Sequence, residues 1–218
     1  THWSASQAAV SKALADGSVV VLNKGAKLSM PSKFSKNERH VKLEGEASFD
    51  VKRMPEKPFI IDAGSFAHVQ VLGTSFNVKA NADGSVEVKV RTGKVKLFSA
   101  DNNEVILLPD DLGYFNPKTK EITKSTNSDP NYDLWRTKRL VFNNTELAKV
   151  VEVLSGYYET SIDIDSKGLK KMRLTATFAN EPLDQVLELI KESLEIDVVK
   201  SGSKFTIIEK ENVNYMFE

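Results

Sequence analysis

Three histidines, thirty acidic residues and no cysteine set the limits on what chemistry this chain of 218 residues can do. A chain without cysteine has no disulfide scaffold, no thiolate metal site and no cysteine nucleophile. His2 lies near one end, and His40 and His68 fall in different strand-like segments without metal-type spacing. All three read as surface or internally satisfied histidines. Asp163 and Asp165 stand two apart in a strand-like stretch and so share a face. A hard cation would need further oxygen ligands, and no others are identifiable, so a solvated strand edge is expected. Asp110-Asp111, just before Gly113, reads as turn chemistry. Two acids from distant strands are what a glycosidase needs, yet among thirty acids no pair is singled out. No nucleophile elbow, phosphate-binding loop, zinc-protease helix or dinucleotide fingerprint is present. The expectation is a protein that is not an enzyme and needs no metal or cofactor.

The composition, 40% hydrophobic and 28% charged, is that of a globular protein. Thirty Lys+Arg balance the acids to a formal net charge of zero. A nucleic-acid partner requires a basic excess or stripe. Arg136, Lys138 and Arg139 make too short a run for that. No apolar stretch approaches the roughly 18 residues of a membrane helix, so this portion is not expected to span a membrane. It opens on "THWSASQ", without methionine or a signal-peptide pattern. It is read as the excised portion of a longer chain.

Stepping along the chain, residues 1–14 form an opening segment, helical in pattern from Ser6 to Leu14. Residues 15–128 then read as strands. Val19 and Val21, Val41 and Leu43, Phe49 and Val51, Phe76 and Val78, Val86, Val88 and Val90, and Val95 and Leu97 alternate with polar residues. Gly or Pro punctuates nearly every gap. Two phrases are written twice: "ADGSV" at Ala15 and at Ala82, and "SFDVK" at Ser48 beside "SFNVK" at Ser75. Asp-Gly-Ser supplies a tight turn whose glycine accepts positive φ, and the valines behind it suit a pleated, half-buried face. The echo is read as a repeated fold device, not a repeated site. Many short strands at about 8–12-residue spacing imply a sandwich, jelly roll or short β-solenoid.

From residue 129 to 218 the period becomes 3.6. Leu147, Val150, Val151, Leu154, Tyr157 and Tyr158 fall on one helix face, and Leu183, Val186, Leu187, Ile190 and Leu194 on another. Asn144 or Thr145 is the expected cap of the first helix and Asn180 of the second. At an offset of 36 residues, Phe142, Asn144, Leu147 and Val150 recur as Phe178, Asn180, Leu183 and Val186. With strands before and after each helix and a final hairpin over Ser201-Gly202-Ser203, this is a βαβ-βαββ domain, its helices on one face of a small mixed sheet. Tyr132 and Trp135 either pack between the two domains or face a partner, and a small domain with open strand edges recruits partners by strand addition.

The phrases "DGSVVVLNKGAKLSMP", "RHVKLEGEASFDVKR", "KPFIIDAG", "VQVLGTSFNVKA" and "VEVKVRTGKVKL", in that order, resemble the FecR family of anti-sigma regulators. "LWRTKRLVFNNTELAKVVEVLSGYYETSIDID" followed by "LTATFANEPLDQVLELI" resembles that family's carboxy-terminal domain, which is similar to the short signalling domains of secretins and TonB-dependent receptors. The match runs from about residue 12 to 210. One departure is "LADGS", where the family often has proline before the aspartate. The resemblance implies a periplasmic sensing region, anchored in the inner membrane by one helix in the full-length protein. Its implied partner is the signalling domain of a TonB-dependent outer-membrane receptor. A sigma factor would be held only by a cytoplasmic segment absent from this sequence. Trp135, Leu140, Val141 and Phe142 are the candidate partner-binding residues. The competing reading is a ligand- or carbohydrate-binding β-domain, with Phe34, Phe66, Phe98, Tyr114 and Phe115 as its candidate platform.

Overall fold

A computed structural model describes residues 1–101 and 103–210. The chain forms two compact units, Thr1–Asp129 and Pro130–Glu218. The first is all β. Its strands are β1 (His2–Ser4), β2 (Val10–Ala13), β3 (Val19–Leu22), β4 (Lys27–Ser29), β5 (Arg39–Asp50), β6 (Phe59–Ala63) and β7 (Ala67–Val71). β8 (Ser75–Ala80), β9 (Val86–Thr92), β10 (Val95–Ser99), β11 (Glu104–Leu107), β12 (Asp111–Phe115) and β13 (Ile122–Thr126) complete it. The helical opening is not found. Residues 10–13 pair instead with β3 as an antiparallel strand, Val10 opposite Leu22, so a partner strand overrides a weak local pattern.

The strands form one strip in the order β11-β10-β7-β6-β5-β8-β9-β12-β13, with β3 and β4 also on β5. β11 lies against β12 and β13, so the strip curls until its ends meet around a single core. Alternation does the sorting: Phe59, Ile61 and Ala63 of β6 and Val86, Val88 and Val90 of β9 point inward and are buried.

Both echoes have a structural account. In the first, Asp16 accepts from Ser18 N at 3.0 Å and Ser18 Oγ at 2.7 Å, and Asp83 accepts from Ser85 N at 2.9 Å and Ser85 Oγ at 2.7 Å. Gly17 and Gly84 sit at φ +85° and +87°, where a side chain is strained. It is one turn built twice. The second echo is a pairing: "SFDVK" and "SFNVK" lie antiparallel on β5 and β8, Phe49 opposite Phe76. Their rings stack at 5.4 Å, a contact worth about 0.5–1.5 kcal/mol beyond the area it buries.

The first turn carries one thing the second lacks. Arg39, fully buried, donates from Nη1 to Asp16 Oδ2 at 2.8 Å and to the Lys52 carbonyl at 2.9 Å, and from Nε to the Lys57 carbonyl at 2.9 Å. Its Nη2 has no hydrogen-bond partner among the described residues. The guanidinium lies 5.3 Å from the Phe59 ring centroid, whose π face supplies the remaining attraction. Burial by itself raises the Asp16 carboxyl, and the hydrogen bonds from Arg39 and Ser18 more than reverse this, leaving it below its ordinary value.

The second unit contains α1 (Leu134–Thr137), β14 (Arg139–Glu146), α2 (Leu147–Tyr157), β15 (Ser161–Ile164), α3 (Lys167–Lys170), β16 (Arg173–Ala179), α4 (Leu183–Leu194), β17 (Ile196–Ser201) and β18 (Lys204–Glu209). The single mixed sheet divides into two. β14 and β16 pair antiparallel, while β15, β18 and β17 form a separate three-stranded sheet, β15 parallel to β18. Each helix returns its chain to the second sheet, and one core of Leu147, Val150, Leu154, Val186, Leu187, Ile190 and Ile207 is shared by both.

The capping expectation also changes. The residues before the helices are Glu146 and Pro182, neither of them giving a side-chain cap. Asn144 and Asn180 adopt left-handed backbone instead, φ +49° and +58°, the conformation asparagine tolerates best after glycine. The repeated asparagine therefore bends the chain, at the bulge within β14 in the first copy and directly after β16 in the second.

Removing Arg39 leaves Asp16 buried without its partner. Arg39→Ala is expected to cost about 3–5 kcal/mol, read from urea denaturation of the wild type and variant. Because the Asp16 carboxyl is lowered on folding, its contribution is present above the unfolded value near 3.8 and is lost as pH falls through the folded value. The gap between wild type and Asp16→Asn therefore narrows in acid. An Arg39→Ala protein as stable as wild type would show that the ion pair contributes nothing.

Candidate functional site

The second unit carries a shallow cleft of about 600 Å³ lined by Trp135, Lys138, Tyr157, Tyr158, Glu159, Asn180, Glu181 and Pro182. Three segments build it. Trp135 comes from the single turn of α1. The two tyrosines close α2, their rings edge to face at 4.8 Å. Asn180, Glu181 and Pro182 lead into α4. The Tyr158 hydroxyl donates to the Glu181 carbonyl at 2.6 Å, and Asn180 N donates to the Lys138 carbonyl at 2.8 Å, so the walls are tied to each other. Burial raises the Tyr158 phenol above its ordinary value, which keeps it a neutral donor to that carbonyl.

Three residues of this wall have left-handed backbone: Lys138 at φ +52°, Glu159 at +50° and Asn180 at +58°. A non-glycine residue there costs about 1–2 kcal/mol, and such residues cluster at binding sites when surrounding structure holds them. Here they turn the chain sharply enough for an indole and two phenols to stand around one depression. Large aromatics that remain part-exposed are the residues most often found at the energetic centre of protein interfaces.

The four candidate residues separate. Trp135 is half-buried and lines the cleft. Leu140 and Phe142 turn inward and are buried in the core, Phe142 edge to face with Phe178 of the other copy. They hold β14 in place and offer a partner no surface. Val141 is half-buried, and its backbone edge is occupied: Asn131 Nδ2 donates to the Val141 carbonyl at 2.9 Å, and Val141 N donates to Asn131 Oδ1 at 2.8 Å. A side-chain amide thus stands where a neighbouring strand would. Tyr157 and Tyr158 read from periodicity as core-facing, and the cleft role of Lys138 and Asn180 had no readable signal beyond the repeated asparagine.

In the β-unit two of the three histidines, His40 and His68, converge although their spacing gives no hint. β5 runs parallel to β6, and β6 antiparallel to β7. This sets His40 Nε2 2.9 Å from Asp62 Oδ2, and His68 Nδ1 2.7 Å from Asp62 Oδ1. Glu38 Oε1 is 3.4 Å from His40 Nδ1. Among the described residues no group of three His, Asp or Glu is arranged to hold a metal. The platform aromatics disperse: Phe115 is buried, Phe34 packs on Phe59, and Phe66 stands 51% exposed. Lys204 Nζ bridges to Asp163 at 2.5 Å, in keeping with a solvated strand edge.

Comparison with known proteins defines the class. The model for FecR protein matches residues 1–96, and that for the FecR C-terminal region matches residues 139–207. Two crystal structures described as an anti-sigma factor from Parabacteroides distasonis, at 1.65 and 2.50 Å resolution, are each 33% identical to this chain over 97% of its length. The alignments cover 100% and 99% of those chains, with TM-scores of 0.62 and 0.61. No match was found among curated proteins. The class is that of anti-sigma regulators. The chain belongs to the FecR family and corresponds to its sensing region. No helix among the described residues is long and apolar enough to cross a membrane.

The histidine cluster gives a pH prediction. Burial by itself lowers His40, but Asp62 and then Glu38 outweigh it, so its value is raised above 6.5. For Asp62 burial raises the carboxyl and the two histidines outweigh that, so it is lowered below 3.8. The histidine contribution is therefore fully present below about pH 6.5 and is lost as pH rises through the folded value. Thermal melts should show His40→Asn lowering Tm more at pH 5.5 than at pH 8, and an equal loss at both would contradict the coupling.

Proposed function

We propose that this chain is the periplasmic part of a membrane-anchored anti-sigma regulator, and that its second unit receives the signalling domain of a TonB-dependent outer-membrane receptor. On this reading the full-length protein has one membrane helix and a cytoplasmic segment that holds an extracytoplasmic-function sigma factor. The signal passes from receptor to sigma factor through this chain, with no nucleic acid and no catalysis involved. The observation that carries the proposal is the aromatic cleft around Trp135. Family membership supports a regulatory protein partner, and the cleft offers a part-apolar surface where a receptor domain can seat.

Within this reading the contact residues are Trp135, Tyr157 and Tyr158, with Lys138 and Glu159 on the rim. Leu140, Val141 and Phe142 act from beneath by fixing β14. The test is a calorimetric titration against the signalling domain of the TonB-dependent receptor encoded beside this gene. Saturable one-to-one binding is expected. Trp135→Ala should weaken it by about 2 kcal/mol or more, the range of an interface hot spot, without changing the melting temperature of the β-unit. Phe142→Ala should mainly reduce stability, by about 3–5 kcal/mol. Unchanged affinity in a folded Trp135→Ala protein would move the interface elsewhere, and absence of binding by the wild type would remove the receptor from the account.

A further inference from the structure

The loops at one end of the β-unit enclose a second cavity, of about 510 Å³, whose walls include Arg53, Leu72, Gly73, Lys94, Lys96 and Ile106. Its construction is specific. The chain leaving β5 is fastened to the β7–β8 turn by Val51 N to the Thr74 carbonyl at 3.0 Å and Met54 N to the Leu72 carbonyl at 2.7 Å. Thr74 Oγ donates to the Lys94 carbonyl at 3.0 Å, tying in the β9–β10 turn. A Cβ at Gly73 would stand 2.4 Å from Arg53 Cα, so the segment carrying Arg53 can lie there only because residue 73 has no side chain. On β10, Lys96 is opposite both Gln70 of β7 and Ile106 of β11, which completes one wall.

The charge of this cavity departs from that of the whole chain. None of its lining residues is acidic, in a protein whose thirty cations and thirty acids balance. Lys96 is bridged to Glu104, but Arg53 and Lys94 have neither an ion pair nor a side-chain hydrogen bond among the described residues, and both are exposed. Beside them stand two large aliphatic side chains left open to solvent, Leu72 at 39% and Ile106 at 42% exposure. Two uncompensated cations next to exposed alkyl groups, with no acid between them, suit an anion that carries a hydrocarbon body.

We propose that this cavity binds the headgroup of an anionic phospholipid, and so forms a membrane-surface contact of the β-unit. Arg53 and Lys94 take the phosphate: a guanidinium matches two phosphate oxygens at once, and the ammonium adds a point charge. Leu72 and Ile106 meet the first methylenes of the acyl chains. A free phosphate would use the cations and leave the aliphatic wall exposed, which is why a lipid fits better than its soluble headgroup. The proposal does not rest on receptor binding, and the test contains no receptor.

The experiment is co-sedimentation of the chain with phosphatidylcholine vesicles, with and without phosphatidylglycerol. Binding is expected only when the anionic lipid is present, and it should weaken as salt is raised. Affinity should fall about fivefold for each cation removed, in Arg53→Gln, Lys94→Gln and their double variant. Leu72→Ser should weaken binding to vesicles while leaving the salt dependence intact. All of these positions are exposed, and thermal melts verify that each variant is folded. Equal sedimentation with both vesicle types, or an unchanged double variant, would overturn the proposal. Displacement of the protein from vesicles by glycerol phosphate at comparable concentration would overturn the lipid assignment in favour of a soluble phosphate.

Discussion

The β-unit depends on one strand having to satisfy four partners. Over Arg39–Leu43, β5 pairs in parallel with β6, and over Lys42–Glu44 its other edge takes β4. Over Gly45–Asp50 the partners are replaced by β8 on one edge and β3 on the other. The exchange happens at Gly45, where φ is +84° and a Cβ would stand 2.9 Å from Ala26 Cα. A side chain there would be strained by the backbone and blocked by its neighbour. From that joint, one half of the strip runs through β6 and β7 to β11, the other through β8 and β9 to β13. Arg39 fastens the beginning of the same strand to the Asp16 turn and to the chain that leaves its end.

The second unit meets a similar difficulty by duplication. One copy of strand and helix has an apolar face it cannot cover alone, and the two copies cover each other: β14 lies against β16, with Leu140 opposite Phe178. Each copy carries an asparagine in left-handed backbone, Asn144 in the bulge of β14 and Asn180 just after β16. In the second copy that asparagine also lines the aromatic cleft, so a device of the fold has been placed in a surface. The outer edge of β14 at Val141 is closed by Asn131, one of the ways a protein keeps an edge strand from pairing indiscriminately.

How far the sequence could be read follows from which interactions are local. Strands of the β-unit are legible because alternation is a two-residue pattern. The Asp-Gly-Ser turn was visible because its hydrogen bonds span two residues. What joins distant segments was not. No feature of "SFDVK" announces that it lies against "SFNVK", nor does the spacing of His40, Asp62 and His68 announce a row across three strands. The opening segment has a helical local pattern, and its partner β3 decides that residues 10–13 are strand. Leu140 and Phe142 belong to a strand whose edge suggests a contact, while their side chains alternate into the core. Trp135 was found by its residue type, and its tyrosine neighbours were hidden in a helical period that serves core and cleft alike.

The fourfold pairing of β5 also sets the order in which the β-unit can come into being. β3 and β4 precede it, and β6 and β8 follow it, so no nearest-neighbour hairpin completes any half of the strand. Val20 must wait for Phe49, and Phe49 must wait for Phe76. Such non-local topologies fold in milliseconds to seconds, where helical bundles need microseconds to milliseconds. A chain emerging amino-terminus first carries β3, β4 and β5 with their apolar faces uncovered until residue 80, the end of β8, has followed. During that interval the unit shows solvent the apolar faces that its finished fold hides, the condition under which partly made sheets aggregate.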